Sequence, residues 1–135
     1  MTPQVSDVGD RRRHSSGGPW EGHFGYSRAV RVGDRIVVSG CTAVGDDAAL
    51  ASSDARQQAE AALSVALAAV TALGGHRDDV VRTRMYLTRR EDADAVGEAH
   101  GAAFADVRPA ATMVVVAGLI DERMLVEIEL EAVVP

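Results

Sequence analysis

Lysine is absent from this chain: all 14 of its basic residues are arginine. A lysine Schiff base is therefore excluded as a catalytic device. Cysteine occurs once, as Cys41, which rules out a disulfide within the chain and fits a reducing, cytoplasmic compartment. Aromatic residues make up only 4%, so Val, Leu and Ala must fill any interior. No apolar run reaches the ~20 residues of a membrane span, and the N-terminus has no apolar h-region of a secretory signal. Cationic surface is scarce too. The net charge of −6 argues against a nucleic-acid groove, which needs basic residues to neutralise phosphate. His14, His23, His76 and His100 show no i, i+4 pairing and no nearby cysteine, so no metal site is expected.

What is present is 47% hydrophobic residues in a chain of 135, enough for one domain with a real core. Met1 to Pro19 is polar and lacks periodicity. Residues 1–19 are expected to form a flexible tail, whose removal up to Gly18 would leave stability nearly unchanged. The domain is expected to occupy residues 20–135. Ala29-Val30-Arg31-Val32, a Gly33-Asp34 turn and Arg35 to Ser39 read as a β-hairpin. Arg28, Arg31 and Arg35 read as its exposed side. From Ser53 or Asp54 to Gly74-Gly75, apolar residues recur at helical spacing, with Ala59, Ala62, Leu63, Ala66, Leu67 and Val70 facing inward. Asp54 or Ser53 suits the N-cap, and the glycines suit a left-handed end. A strand follows, with Val81, Thr83, Met85 and Leu87 on one face and Arg82, Arg84 and Tyr86 on the other. A second helix precedes Arg108-Pro109, where proline stops it and favours an extended Arg108.

The chain closes on "RPAATMVVVAGLIDERMLVEIELEAVV". Ala111 to Ala117 is apolar at both parities, so both its faces are expected to be buried. Leu125 to Val133 alternates, setting Glu127, Glu129 and Glu131 opposite Val126, Ile128 and Leu130. Two helices cover one face of such a sheet. The other face, carrying Val114 or Val116, is expected to need a partner subunit.

This order of elements, with "RVGDRIVVSG" early and "RPAATMVVVAGL…MLVEIELEAV" at the end, resembles the Rid family. These are the YjgF-like reactive-intermediate deaminases, also labelled endoribonuclease L-PSP. The resemblance runs from about Tyr26 to Val134. It implies an α+β, chorismate-mutase-like mixed sheet with two helices on one face. It also implies a homotrimer with small-molecule clefts between subunits and cofactor-free hydrolysis of imines or enamines such as 2-aminoacrylate. Glu127 aligns with a glutamate that positions the attacking water, and Tyr26 with an aromatic that lines the cleft. Ser39, Gly40 and Cys41 fall where backbone groups meet the ligand. No charge partner for the Cys41 thiol is visible in the sequence.

The family's carboxylate-binding arginine follows the Pro-Ala that opens the penultimate strand. Here Ala111 holds that place, with Met113 on the same face making the wall more apolar. Arg108 or Arg84 is a candidate replacement, and Trp20 with His23 a candidate lid. Two functions stay open. One is a deaminase, a hydrolase of C=N bonds, weak on amino-acid-derived imines. The other is a non-enzymatic ligand-binding or regulatory protein of the same fold. RNA cleavage has little support from an acidic chain without a histidine pair.

Overall fold

The computed structural model describes residues 3–135. One seven-stranded sheet runs through it in the order β1-β2-β3-β4-β7-β5-β6. The strands are β1 (Gln4–Val8), β2 (Arg11–Ser15), β3 (Ala29–Val32), β4 (Arg35–Cys41), β5 (Val80–Leu87), β6 (Ala110–Val115) and β7 (Val126–Val133). All neighbours pair antiparallel except β5 and β6, which are parallel. A parallel pair needs a crossover, and helix α4 (Ala93–Phe104) supplies it. The long helix α3 (Ala55–Ala72) is started by Asp54, whose carboxylate accepts from the backbone N–H of Arg56 and Gln57 at 2.9 and 3.2 Å. Gly74, at φ +85°, follows its end. Two short helices, α1 (Pro19–Phe24) and α2 (Asp47–Ala51), complete the set.

The core lies between the sheet and the two long helices. Ala59, Ala62, Ala66 and Ala69 of α3 are fully buried, with Val96, Ala99 and Phe104 of α4 beside them. Small side chains let the helix approach the strands closely. Beneath it lie Ile36, Val38, Met85, Leu87, Ile128 and Leu130. Gln58 is buried within this apolar layer because both of its polar atoms are hydrogen-bonded. Its amide donates to the carbonyls of Leu50 and Arg123, and its oxygen accepts from the N–H of Leu125.

Several expectations fail for physical reasons. The supposed tail is built into the sheet from Gln4 on: β1 and β2 form a hairpin, and β2 pairs with β3. Backbone ladder bonds, the burial of His14 and an Arg12–Asp7 ion pair at 3.1 Å hold it. A ribbon that adds to a sheet edge needs no hydrophobic face, so its sequence looks like a tail. Met1 and Thr2 of that segment lie outside the described residues. In β5 a register shift against β7 between Val80 and Arg82 turns Val80 inward and leaves Val81 exposed. β6 is an edge strand with both faces open in the single chain, apart from half-buried Met113. The face away from the helices is not a contiguous apolar patch. Arg84 bridges Glu129 and Glu131 at 3.6 and 3.5 Å, Arg35 reaches Glu131 at 3.3 Å, and Tyr86 hydrogen-bonds Glu129. Arg108 is not extended. It takes φ +52°, and its N–H closes the helix end on the Phe104 carbonyl.

Candidate active site

A cleft of about 480 Å³ opens where β4 ends and β7 begins. Its floor is made by Gly40 and Glu127. A register shift between Val38 and Cys41 releases β4 from the regular ladder there, and the Glu127 side chain lies across the glycine. A Cβ on Gly40 would sit 2.8 Å from the Glu127 Cδ, so only glycine admits the carboxylate in this place. The walls are mostly apolar: Trp20 and Phe24 of α1, Tyr26, Val44, and Ile120 and Met124 of the β6–β7 loop. The Trp20 and Phe24 rings stack at 5.5 Å, and both are half or more exposed in the single chain. Gln58 grips the residues on either side of Met124, so the core of α3 sets the position of that wall.

Among the described residues one cation enters the cleft, Arg28. Its guanidinium is buried. It donates to the carbonyls of Gly40 and Ser39, lies 3.6 Å from the Cys41 Sγ, and reaches the Tyr26 hydroxyl at 3.5 Å. Its Nε is 3.6 Å from Glu21. Glu21 is itself buried and accepts from the Ser16 hydroxyl and, at 3.2 Å, from the Ser16 N–H. Burial alone would push the Glu21 carboxyl upward, but the serine hydrogen bonds and Arg28 hold it below the ordinary range. Burial likewise opposes the Arg28 charge, yet Cys41, Glu21 and Tyr26 more than restore it. Burial pushes the Cys41 thiol up, only partly offset by Arg28, so sulfur stays protonated and is no nucleophile at neutral pH. Burial and neighbouring Glu129 raise the Glu127 carboxyl, with Arg28 opposing. A carboxylate shifted toward neutrality beside an apolar wall suits proton transfer.

The structure therefore brings Tyr26, Gly40, Cys41 and Glu127 around one cleft. Ser39 stands beside them; its backbone carbonyl receives Arg28 and its hydroxyl donates to the Ser27 carbonyl. Arg108, Ala111 and Met113 are not part of this wall. Ala111 and Met113 pair with Thr83 and Met85 on the helix side of β6, and Met113 packs on the core. Arg84 is occupied on the open face by Glu129 and Glu131. Trp20 lines the cleft, whereas His23 packs on the Phe24 ring edge at 4.8 Å.

Arg28 was not legible as a site residue. As an arginine next to a strand, it has the same local context as the exposed Arg35. The return of β4 past Tyr26 and the approach of Glu21 from α1 bury it. Cys41 does have a charge partner, the same Arg28.

The family model for endoribonuclease L-PSP matches residues 21–134. An uncharacterized protein of Streptomyces coelicolor is 45% identical over 121 residues, covering 90% of each chain. A YjgF-family crystal structure from Mycobacterium tuberculosis is 44% identical and superposes with a TM-score of 0.82, over 92% of this chain and 99% of that one. A Pseudomonas aeruginosa protein of unknown function, at 32% identity and TM-score 0.80, covers 98% of this chain and 94% of its own. RidA of an Antarctic Psychrobacter, at 30% identity and TM-score 0.74, covers 82% of this chain and 89% of its own.

Proposed function

We propose that this chain, which belongs to the YjgF/Rid family of the endoribonuclease L-PSP type, hydrolyses a reactive imine or enamine without a cofactor and acts poorly on imines that carry a carboxylate. The observation that carries this reading is the Glu127 carboxyl, held over Gly40 in an apolar cleft and raised from its ordinary range. In the reaction, Glu127 takes a proton from water as the oxygen bonds to the C=N carbon. The same carboxyl passes that proton to the nitrogen to give the neutral carbinolamine, then takes the hydroxyl proton and delivers it to the leaving nitrogen as the C–N bond breaks, releasing a carbonyl compound and ammonia. The Tyr26 hydroxyl and the backbone at Gly40 orient the polar end of the substrate.

The poor reaction with amino-acid-derived imines follows from Ala111, which offers no guanidinium fork, and from Arg28, whose terminal nitrogens donate to groups of the protein and whose charge faces Glu21. The functional assembly in this reading is a homotrimer in which β6 of a neighbour, with Ala111 and Met113, closes each cleft. The exposure of both β6 faces in the single chain supports it. The same engaged Arg28 favours a second reading, a ligand-binding protein with no turnover.

The test generates two imines in place and follows carbonyl product: phenylacetaldimine, made from phenethylamine by a flavin amine oxidase, and 2-aminoacrylate. Wild-type protein should speed the first and barely affect the second, and Glu127→Gln should remove the first effect. Equal product traces for wild type and Glu127→Gln on both imines would leave only the binding reading.

A further inference from the structure

The residues that lie ahead of the family match at 21–134 contribute to the cleft. Ser16, Gly18 and Trp20 line it, and β1 and β2 tie this segment to the sheet. Ser16 fixes the Glu21 carboxylate with two hydrogen bonds. Glu21 in turn faces the Arg28 Nε at 3.6 Å, both side chains being almost wholly buried. The Arg28 Nε has no hydrogen-bond partner, so Glu21 acts on it as a charge rather than as a bidentate acceptor. Among the described residues the lining then holds one cation, Arg28, against two carboxyl groups, Glu21 and Glu127. A ligand carboxylate entering here would meet a cation already neutralised and a second carboxylate on the floor. Desolvating an anion without a free partner is costly. A protonated or neutral nitrogen meets the reverse: an acceptor at Glu127 and an aromatic wall at Trp20, Phe24 and Tyr26, whose ring faces favour cations.

We propose that Glu21 is the specificity-determining residue of this cleft: by occupying Arg28, it selects apolar ligands whose polar end is a nitrogen base and rejects carboxylates. This inference rests on the cleft being the ligand site, as in the proposed function, and names the ligand class that the site takes. Glu21 acts through Arg28 and is a positioning residue.

The chain has a single tryptophan, Trp20, and it lines the cleft, so its fluorescence reports occupancy directly. The probes are phenethylamine and phenylacetate, matched in ring and chain length and opposite in charge. The wild-type protein should bind phenethylamine at least tenfold more tightly than phenylacetate. Glu21→Gln keeps an acceptor for Ser16 but frees the Arg28 charge, and should tighten phenylacetate at least tenfold while weakening phenethylamine. Ser16→Ala, which only loosens Glu21, should shift the ratio in the same direction by less.

Equal affinities, a preference for phenylacetate, or no quenching by either probe in the wild type would overturn the proposal. A ratio unchanged in Glu21→Gln, with circular dichroism matching wild type, would overturn it as well. Should Glu21→Gln not fold, the wild-type ratio and Ser16→Ala decide: an unchanged ratio in Ser16→Ala then overturns the assignment. An intact amine preference with no imine turnover would remove the hydrolase reading and leave this one standing. Turnover without the preference would do the opposite.

Discussion

A methyl group added at Gly40 cannot coexist with the Glu127 side chain where it lies. The atoms in its way belong to the flexible end of a side chain, so the carboxylate swings aside and the strand stays. Gly40→Ala should therefore lower imine turnover by an order of magnitude or more while shifting the melting temperature by only a few degrees. Parallel thermal scans and product assays separate the two effects. Glu127 offers a sharper case. Its folded-state pKa is raised, mainly by burial, so ionising it opposes folding. Its favourable contribution is complete below the ordinary carboxylate value and is lost as pH rises through the raised one. Glu127→Gln should thus be more stable than wild type at pH 7 and no more stable near pH 3, while losing activity. Thermal unfolding at the two pH values checks the sign. Destabilisation by Glu127→Gln at pH 7 would mean that the carboxylate serves the fold rather than the chemistry.

Among the elements, the N-terminal hairpin and the loop before β7 carry the consequences. Removing Met1 to Ser15 strips the ladder from β3 and exposes the pocket of His14, so the melting temperature should fall. A loss of about 2 kcal/mol corresponds to roughly 4–8 °C for a domain near this size. No change in a calorimetric scan would return the segment to the status of a tail. The hairpin should also be sensitive to acid. Burial lowers the pKa of His14 despite the attraction of Glu21. The stability that its neutral ring contributes is present above the unfolded value and lost as pH falls through the lowered one. His100, half-buried and 2.8 Å from the Thr83 hydroxyl, is shifted the same way by burial and adds to that loss. In the loop, Gln58→Leu keeps the volume but abandons the Arg123 carbonyl and the Leu125 N–H. Unsatisfied buried groups cost about 1–3 kcal/mol each, so this variant should lose several degrees of stability. It should also lose ligand response at Trp20, because the Met124 wall is no longer held.

For the whole molecule, the prediction concerns assembly. Light scattering of the wild-type protein should give three times the chain mass. Val114 lies on the open sheet face opposite Tyr86 in register, exposed in the single chain. Val114→Asp would bury an unpaired charge in the interface, costing about 3 kcal/mol or more, and should yield smaller species. A stable wild-type monomer would defeat the trimer outright. Within the trimer, Ala111→Arg should raise activity on 2-aminoacrylate if β6 of a neighbour completes the cleft, and the gain should vanish in Val114→Asp. An equal gain in the dissociated variant would place the new arginine in its own chain's cleft.

The amino-acid pattern by itself determined the framework that depends on local periodicity: the β3–β4 hairpin with its Gly33 turn, the alanine-faced α3 with Asp54 as cap, and the alternation that puts Ile128 and Leu130 inside and Glu127 out. These are legible because the side chains of one element share one environment. The tertiary structure decided what depends on two distant segments meeting. Val80 replaces Val81 in the core because β7 imposes a bulge. Gln58 is buried because three backbone groups, one from α2 and two from the loop before β7, converge on it. The polar hairpin becomes sheet because β3 has an edge to offer. Of the cleft, Tyr26, Gly40, Cys41 and Glu127 were open to recognition from motif position. Arg28 and Glu21 were not, since the burial of a charge is set by what packs over it and by the partner that compensates it, and neither is written in the neighbouring residues.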